Sequence, residues 1–270
     1  MNRYNKNDHV IIHGDVIDVL KSNLIPDNSV DLIFADPPYN IGKEFNGKVE
    51  KWDSDAEYIS WCKKWLKLAI KKLKPNGSLY LMTATQFMPY FDIYLSKRLN
   101  VISRIVWHYD SSGVQARQAF GSLYEPILHC VQSKANYVFN SKSILIDTKT
   151  GAKRKLIDYR KKPPQKYNTK KVPGNVWVFS RVRYKMSEYE NHPTQKPMHL
   201  MDRIIKASSK KNSLVLDLFS GTFTTAETAK LLRRKSISIE SELEYVKIGL
   251  RRVLGMQELN GEKLIKRKGF

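Results

Sequence analysis

Asp36-Pro37-Pro38-Tyr39 brings a carboxylate, two rigid prolines and an aromatic ring together within four residues. The prolines hold the backbone extended and stiff, because they cannot continue a strand ladder and they disfavour a helical residue before them. Such a turn suits a planar base with an exocyclic amino group, whose two N–H bonds the carboxylate and a proline carbonyl can accept while the ring stacks on its face. A strand-ending loop with a buried tyrosine is the simpler alternative for these four residues taken alone.

A second candidate site lies far downstream, at residues 214–225, where an apolar strand runs into a small-residue turn and then into a helix. A strand, a tight turn and a helix start together form a nucleotide-type binding site. Glu240 closes the next apolar stretch, about twenty residues beyond the turn, where a carboxylate can accept both hydroxyls of a ribose. The turn alone is a weak signal because its only glycine is Gly221, but the strand, turn, helix, strand and acid follow one another in register.

The surrounding residues predict the elements that position these two sites. Residues 30–35 form an apolar run typical of a buried parallel strand, which places the 36–39 turn at a carboxyl strand end, where open α/β sheets bind ligands. Residues 56–73 carry apolar side chains at helical spacing, and residues 198–208 do so again behind Pro197. Further strands are predicted at 10–12, 78–84, 102–109 and 127–131. The pattern indicates an α/β fold.

Composition limits the classes of protein that fit. A chain of 270 residues with 41% hydrophobic content can form one large α/β domain with an insertion. No apolar stretch approaches the roughly eighteen residues of a membrane span, and the first eight residues lack the apolar core of a secretion signal. Cys62 and Cys130 are too few for a disulfide framework and lack metal-site spacing, so we expect a reduced, cytoplasmic protein without a metal and without a membrane partner.

The charge of the chain points to a polyanionic partner. Lys and Arg number 47 against 26 acids, a net charge of +21. Residues 142–171 hold eleven Lys or Arg against two Asp, a net +9, interleaved with tyrosines and prolines. A solvated basic loop is the alternative, but this density favours contact with nucleic-acid phosphates. Residues 40–54 form a glycine-containing loop after the first motif that could close over an extruded base. The expected DNA-binding residues are Lys43, Lys153, Arg154, Lys155, Arg160, Lys161, Arg181 and Arg183.

With both sites in view, the chain resembles the β class of DNA amino-methyltransferases, from about residue 9 to about residue 250. In that class an Asp-Pro-Pro-Tyr motif precedes a target-recognition segment, and the cofactor-binding motif comes last, as it does here. The chain is most similar to a subgroup of solitary enterobacterial adenine-N6 enzymes. The shared segments are 30–43, Tyr-Asp-Ser-Ser-Gly-Val-Gln-Ala at 109–116 and Glu-Asn-His-Pro-Thr-Gln-Lys-Pro at 190–197.

The resemblance implies an architecture. We expect a Rossmann-like S-adenosylmethionine-dependent methyltransferase fold with a mostly parallel seven-stranded sheet and a circularly permuted motif order. The strands at 102–109 and 127–131 would form an antiparallel pair at the edge of that sheet. Residues 1–132 would form the catalytic part of the methyltransferase domain, residues 133–190 a target-recognition insertion, and residues 191–270 the cofactor-binding part.

The resemblance also implies a function: transfer of a methyl group from S-adenosylmethionine to N6 of a flipped adenine in double-stranded DNA, in a bacterial cytoplasm. The implied catalytic residues are Asp36, Pro37, Pro38 and Tyr39. Lys196 would pair with the methionine carboxylate of the cofactor, and Asp15 would lie beside its adenine, although a helix cap explains Asp15 more simply. The expected cofactor-binding residues are Asp15, Lys196, Asp217, Phe219, Gly221, Thr222, Thr224, Thr225 and Glu240.

One residue departs from the family pattern, because Phe223 stands where the second glycine of the cofactor turn is usual. We expect an intact site, with the Phe223 ring packed between helix and sheet. Methylation of cytosine N4 is the second interpretation, since that activity favours Ser where this chain has Asp36, and methylation of RNA or protein is the third. A non-catalytic DNA-binding protein would leave Asp36 and Glu240 without a role. A homodimer, the recognition sequence and a partner nuclease are left open.

Overall fold

A computed structural model of the chain describes residues 1–42, 44–45, 48–49, 51–109, 118, 120–150 and 154–266. The central feature is a nine-stranded sheet with the spatial order β1-β2-β9-β8-β3-β4-β6-β5-β7. Its strands are β1 (Asn2–Lys6), β2 (His9–His13), β3 (Val30–Ala35), β4 (Leu73–Met82), β5 (Asn100–His108), β6 (Tyr124–Val131), β7 (Val176–Val178), β8 (Leu214–Asp217) and β9 (Lys235–Glu240).

The middle of the sheet is parallel, as predicted. β2, β9, β8, β3 and β4 pair parallel in that order, while β6 runs antiparallel to both β4 and β5. The expected count of seven strands was too low, because β1 pairs with β2 at one edge and β7 pairs with β5 at the other. The antiparallel pair is therefore one strand inside the edge. Neither extra strand has a clear sequence pattern, because β1 is almost wholly exposed and β7 has only three residues.

Helices cover both faces of the sheet: α1 (Val16–Lys21), α2 (Asp55–Lys72), α3 (Met88–Ser96), α4 (Met198–Ser208), α5 (Thr224–Leu231) and α6 (Leu243–Arg252). Alternate residues of β3 face opposite cores. Ile33 and Ala35 pack with α1, α2 and α3, whereas Leu32 and Phe34 pack with α4. A third core lies between α5, α6 and β2. The two faces follow from the period-2 alternation of a strand that is buried on both sides.

The strand directions bring distant motifs to one edge of the sheet. β3, β8 and β9 are parallel and in register, with Asp217 beside Phe34 and Glu240 beside His13. Asp36 follows the carboxyl end of β3, and Asp217 and Glu240 end β8 and β9. β6 is antiparallel, so its first residues, including Glu125, lie at the same edge. Four segments that are far apart in sequence therefore meet there.

Short antiparallel ladders characterise the part predicted as an insertion. Ile146–Asp147 pairs with Lys170–Lys171, and Ile157–Asp158 pairs with Gln165–Lys166. Two further ladders join Glu44–Phe45 to Lys48–Val49 and Glu258–Leu259 to Glu262–Lys263, and a 3-10 helix spans Ser141–Ile144. β7 belongs to the large sheet although it falls within 133–190; the predicted boundaries stay a prediction.

In the described part of the chain, no helix combines the length and apolarity that crossing a membrane requires.

Candidate active site

A cavity of about 680 Å³ opens at the carboxyl edge of the parallel strands. Its wall includes the 36–39 turn on one side and the 217–225 turn with Glu240 on the other. This volume is in the range that holds a small-molecule ligand. The cavity thus joins the two candidate sites that the sequence suggested separately, and we call their sides the catalytic half and the cofactor half.

Four side chains form a polar cluster in the catalytic half: Asp36, Tyr39, Glu125 and Lys196. The Tyr39 hydroxyl lies 2.6 Å from Asp36 Oδ1 and 2.9 Å from Glu125 Oε2. Lys196 Nζ lies 2.9 Å from Asp36 Oδ2 and 3.2 Å from Glu125 Oε2. One cation and one phenol therefore bridge two carboxylates.

The buried position of this cluster shifts its proton equilibria. Burial raises the pKa of Asp36 above its ordinary value; Lys196 opposes this rise and the charge of Glu125 adds to it. Burial acts on Glu125 in the same direction, but Lys196 and Tyr39 hold its pKa below the ordinary value. The pKa of Lys196 is raised, because the two carboxylates outweigh the burial that would lower it. Lys196 is therefore a cation at neutral pH, and Asp36 is the more basic carboxylate of the pair.

The geometry adds contacts to two residues whose predicted roles stay predictions. The sequence assigned Lys196 to the cofactor, but its ammonium group contacts Asp36 and Glu125 and so lies in the catalytic half. The sequence used only the ring of Tyr39, yet its hydroxyl contacts both carboxylates. Stacking of that ring on a base stays a prediction. Pro37 and Pro38 line the cavity beside them, as expected.

Backbone N–H groups position the acids of the cofactor half. Gly221 N donates to Glu240 Oε2 at 2.7 Å, and Glu242 N donates to Glu240 Oε1 at 2.9 Å. Phe219 N donates to Asp217 Oδ1 at 3.1 Å. Burial raises the pKa of both Asp217 and Glu240 to about 7. Backbone N–H groups hold both oxygens of Glu240, which fixes its carboxylate at the cavity wall. The other predicted residues of this half that line the cavity are Asp15, Phe219, Gly221, Thr222, Thr224 and Thr225.

Phe223 takes the place of the second glycine in the predicted cofactor turn without directing its ring into the cavity. Its φ of 62° lies in the left-handed region, which glycine adopts without strain. Its ring is fully buried with Val246 and Leu250 of α6, as the sequence predicted. A Cβ added to Gly249 would come within 2.6 Å of this ring. The ring thus occupies space that a glycine of α6 leaves open, and it points away from the cavity wall.

Asp15 serves as the helix cap that the sequence favoured. Its Oδ1 accepts from Ile17 N at 2.8 Å and from Asp18 N at 3.2 Å, at the start of α1. The same residue lines the cavity. Capping and contact with a cofactor are therefore compatible at this position.

The sequence missed Glu125 and gave His192 no chemistry, yet both line the cavity. Glu125 is the second residue of β6 and lies 86 positions from its partner Tyr39, so no local motif contains both. The available signal was an acid directly before the largely apolar run 126–131. The centroids of the His192 and Tyr245 rings lie 4.6 Å apart. Burial lowers the pKa of His192 to about 3. The neutral imidazole is part of the cavity wall.

Most of the predicted DNA-binding residues lie away from the cavity. Arg181 is the exception: it lines the cavity with its guanidinium 5.0 Å from the centroid of the Tyr109 ring. Arg160 pairs with Asp158 at 2.9 Å, and Arg154, Lys155 and Arg183 are exposed, while Lys161 is half-buried. Lys43 and Lys153 lie outside the described residues.

A cavity at the carboxyl edge of a parallel sheet is where Rossmann-like proteins bind their ligands. The family described as DNA methylase matches residues 30–251, and the chain belongs to this family. The DNA adenine methyltransferase YhdJ of Escherichia coli strain K12 is 53% identical over 98% of this chain and 90% of its own length. The type II methyltransferase M.HpaI of Haemophilus parainfluenzae is 31% identical over 94% of this chain and 76% of its own.

Solved structures confirm the fold of S-adenosylmethionine-dependent DNA methyltransferases. The cytosine-N4-specific PvuII DNA methyltransferase superposes with a TM-score of 0.71 over 97% of this chain and 90% of its own, at 18% identity. The complex of M1.HpyAVI with S-adenosylmethionine superposes with a TM-score of 0.62 over 91% of this chain and 98% of its own, at 26% identity.

Proposed function

We propose that this DNA methylase transfers a methyl group from S-adenosylmethionine to N6 of an adenine extruded from double-stranded DNA at a specific site. The observation that carries the proposal is the single cavity in which the 36–39 turn faces the acid-bearing cofactor turn. A methyl donor in one half would lie next to an amino group in the other. Such proximity is what a transfer between two bound molecules requires.

The cofactor half fits the methyl donor. Backbone N–H groups orient both oxygens of Glu240, a carboxylate that would accept the ribose hydroxyls. Asp217 offers a second buried carboxyl group in this half, which would suit a positively charged donor. S-adenosylmethionine would supply a methyl group on a positively charged sulfur, which provides most of the driving force. The roles of the predicted cofactor residues other than Lys196 are retained in this proposal.

The catalytic half would activate a weak nucleophile. The lone pair of an exocyclic amino group is delocalised into its ring and becomes available only as the nitrogen pyramidalises. Asp36 and the Pro37 carbonyl would accept the two N–H bonds and stabilise the charge that develops on nitrogen, while the Tyr39 ring supports the base. Asp36 acts first by orientation and electrostatics, and takes a proton late.

The charge distribution supports DNA as the partner. The net charge of +21, with +9 in residues 142–171, supplies the counter-charge for a phosphate backbone. Arg181 lies at the cavity beside Tyr109 and Glu125, so it could contact the phosphate next to an extruded nucleotide. The exposed Arg154, Lys155 and Arg183 belong to the proposed target-recognition part at 133–190. We place the activity in a bacterial cytoplasm.

Adenine is favoured over cytosine by two observations. The first motif begins with Asp36, whereas the resemblance associates Ser with cytosine-N4 enzymes. The 53% identical relative is a DNA adenine methyltransferase. The likeness to the cytosine-N4-specific structure at 18% identity concerns the fold alone. A non-catalytic DNA-binding role would leave the ordered Asp36 and Glu240 contacts unused.

Transfer of a labelled methyl group to DNA tests the proposal. Purified protein is incubated with labelled S-adenosylmethionine and double-stranded DNA, and the DNA is digested to nucleosides. We expect the label in N6-methyladenine, and its incorporation to be at least about a hundredfold slower with Asp36→Ala. Label in N4-methylcytosine would establish the cytosine alternative, and no label in DNA that lacks prior methylation would overturn the assignment of activity.

A further inference from the structure

The polar cluster of the catalytic half has one hydrogen too few to make a hydrogen bond at each of its close contacts. The Tyr39 hydroxyl carries one hydrogen but lies within hydrogen-bond distance of Asp36 Oδ1 and Glu125 Oε2. An ionised carboxylate can only accept, so Tyr39 can satisfy one of these two contacts when both acids are ionised. The second contact becomes a hydrogen bond when one carboxyl group gains a proton and donates it to the Tyr39 oxygen. Lys196 donates to both acids in either state.

The charge of the cluster leads to the same conclusion. Two ionised acids and one Lys give a net charge of −1 in a largely buried position. One added proton makes the cluster neutral, which lowers the cost of its burial. Other ionisable groups of the described residues face the cluster as well. The cation of Arg181 lies near Glu125, and the acid of Asp217 lies near Asp36. The remaining groups are the uncharged side chains of Tyr58, Tyr109 and His192. The arrangement is built to gain one proton.

We propose that Glu125 and Asp36 act as one proton acceptor, joined through the Tyr39 hydroxyl and held by Lys196, for the proton that the target amino group releases. This inference rests on the proposed function. As the nitrogen lone pair forms the bond to the methyl carbon, the sulfur–carbon bond breaks and its electron pair stays on sulfur. One N–H bond then breaks, its electrons stay on nitrogen, and the proton passes to Asp36. The new carboxyl O–H donates to the Tyr39 oxygen, and Tyr39 turns its own hydrogen to Glu125.

Glu125 is therefore a positioning residue that acts through Asp36. Its negative charge makes Asp36 a better proton acceptor, and Lys196 keeps Asp36 ionised until the proton arrives. Tyr39 has the opposite effect from Glu125, since its hydrogen bond stabilises the ionised form of Asp36 and so lowers its pKa. Loss of Glu125 and loss of the Tyr39 hydroxyl should shift the pKa of Asp36 in opposite directions.

Single-turnover methyl transfer, measured against pH with saturating DNA and S-adenosylmethionine, tests this. The rate falls on the acid side as Asp36 is protonated. In Glu125→Gln we expect the acid limb to move to lower pH and the maximal rate to fall on the order of tenfold, since a weaker base takes the proton. In Tyr39→Phe the limb should move to higher pH. Glu258→Gln, the same change at an exposed residue of the C-terminal hairpin, should match the wild type. A uniform loss at all pH values in Glu125→Gln would indicate a structural role and overturn the proposal.

Carbon NMR of the free protein gives a readout that needs no activity. Labelled Asp carboxyl carbons are titrated, and the Asp36 signal is assigned by its absence in Asp36→Asn. We expect its pKa to fall in Glu125→Gln and to rise in Tyr39→Phe. An unchanged Asp36 pKa in both variants would overturn the proton-sharing pair. Failure of the wild type to methylate adenine would instead overturn the proposed function, and the titration would still report on the pair.

Discussion

The two halves of the cavity stabilise buried acids in different ways. In the catalytic half, Lys196 lies between Asp36 and Glu125, so a cation of the protein itself balances the carboxylates. In the cofactor half, Glu240 and Asp217 accept backbone N–H bonds, and among the described residues no Lys or Arg forms an ion pair with them. Their pKa values of about 7 reflect this difference. One half carries its own counter-charge, whereas the other suits a ligand that brings positive charge.

Asp36→Ala should produce the largest effect, which is a loss of methyl-transfer rate without a loss of cofactor affinity. Loss of an acceptor that stabilises transition-state charge costs about a hundredfold to a thousandfold in rate. Affinity for S-adenosylmethionine should stay nearly unchanged, because Asp36 faces the base. Single-turnover rates and calorimetric titration separate the two quantities. Turnover like the wild type in Asp36→Ala would remove Asp36 from the mechanism.

Phe223→Gly should affect the cofactor half through stability and not through chemistry. Removing the buried ring costs about 3–5 kcal/mol, while release of the left-handed strain returns about 1 kcal/mol. We expect the free energy of unfolding, measured with urea, to fall by about 3 kcal/mol. Gly249→Ala in the wild type should also destabilise, because its Cβ meets the Phe223 ring.

The control for this prediction is the double variant. In the Phe223→Gly background the ring is gone, so Gly249→Ala should cost little or even stabilise α6. Equal costs of Gly249→Ala in both backgrounds would show that the ring does not occupy this space. Binding of S-adenosylmethionine by the wild type is expected throughout, and its absence with and without DNA would contradict an intact cofactor turn.

Glu240→Gln should change the pH dependence of stability. The folded-state pKa of Glu240 is about 7, above its ordinary value of 4.5, so the folded protein binds the proton more tightly than the unfolded chain. The associated stability is present below pH 4.5 and lost as pH rises towards 7. Glu240→Gln should remove this pH-dependent loss, so that its free energy of unfolding changes less between pH 4.5 and pH 8 than that of the wild type.

The same variant should bind S-adenosylmethionine about tenfold more weakly at pH 8, since the amide is a poorer acceptor for ribose hydroxyls. Urea unfolding at several pH values and calorimetry give the two results. Glu258→Gln is again the exposed control. A pH profile of Glu240→Gln that parallels the wild type would mean that Asp217 or another acid controls the transition.

Neutral variants of Arg154 and Lys155 should have the smallest effect. For every phosphate that the variant no longer neutralises, the dependence of log affinity on log salt should flatten by about 0.9. The matched control replaces Lys210 and Lys211, exposed residues before β8, at the sheet edge opposite the cavity. Binding to short DNA duplexes is measured over a range of salt concentrations. An unchanged slope in the Arg154 and Lys155 variant would favour the alternative, in which the basic residues 142–171 form a solvated loop without DNA contact.

The sequence predicted the parts of the site that follow directly from strand ends. Asp36 and Glu240 each close an apolar run, and a parallel sheet brings such ends to one edge whatever their distance in the chain. Glu125 and the ion pairs of Lys196 could not be predicted this way. Their contacts arise from an antiparallel strand and from the segment before α4, and no spacing rule relates them to Asp36.

The strand count was missed for a different reason. β1 reads Asn-Arg-Tyr-Asn-Lys and exposes nearly every residue, so it lacks the apolar alternation by which strands are recognised. It forms because β2 presents an open edge with five partners in register. The placement of the Phe223 ring was predictable, since an aromatic residue beside a helix start has little alternative to burial between helix and sheet.

The strand order also bears on how the chain can fold during its synthesis. β8 and β9 lie between β2 and β3 in the sheet, yet they are made last, after residue 213. Until they emerge from the ribosome, the facing edges of β2 and β3 have no partners, and the apolar β3 could pair with another nascent chain. The catalytic motif at the end of β3 is thus translated early but is given its final surroundings only when the last fifth of the chain has been made.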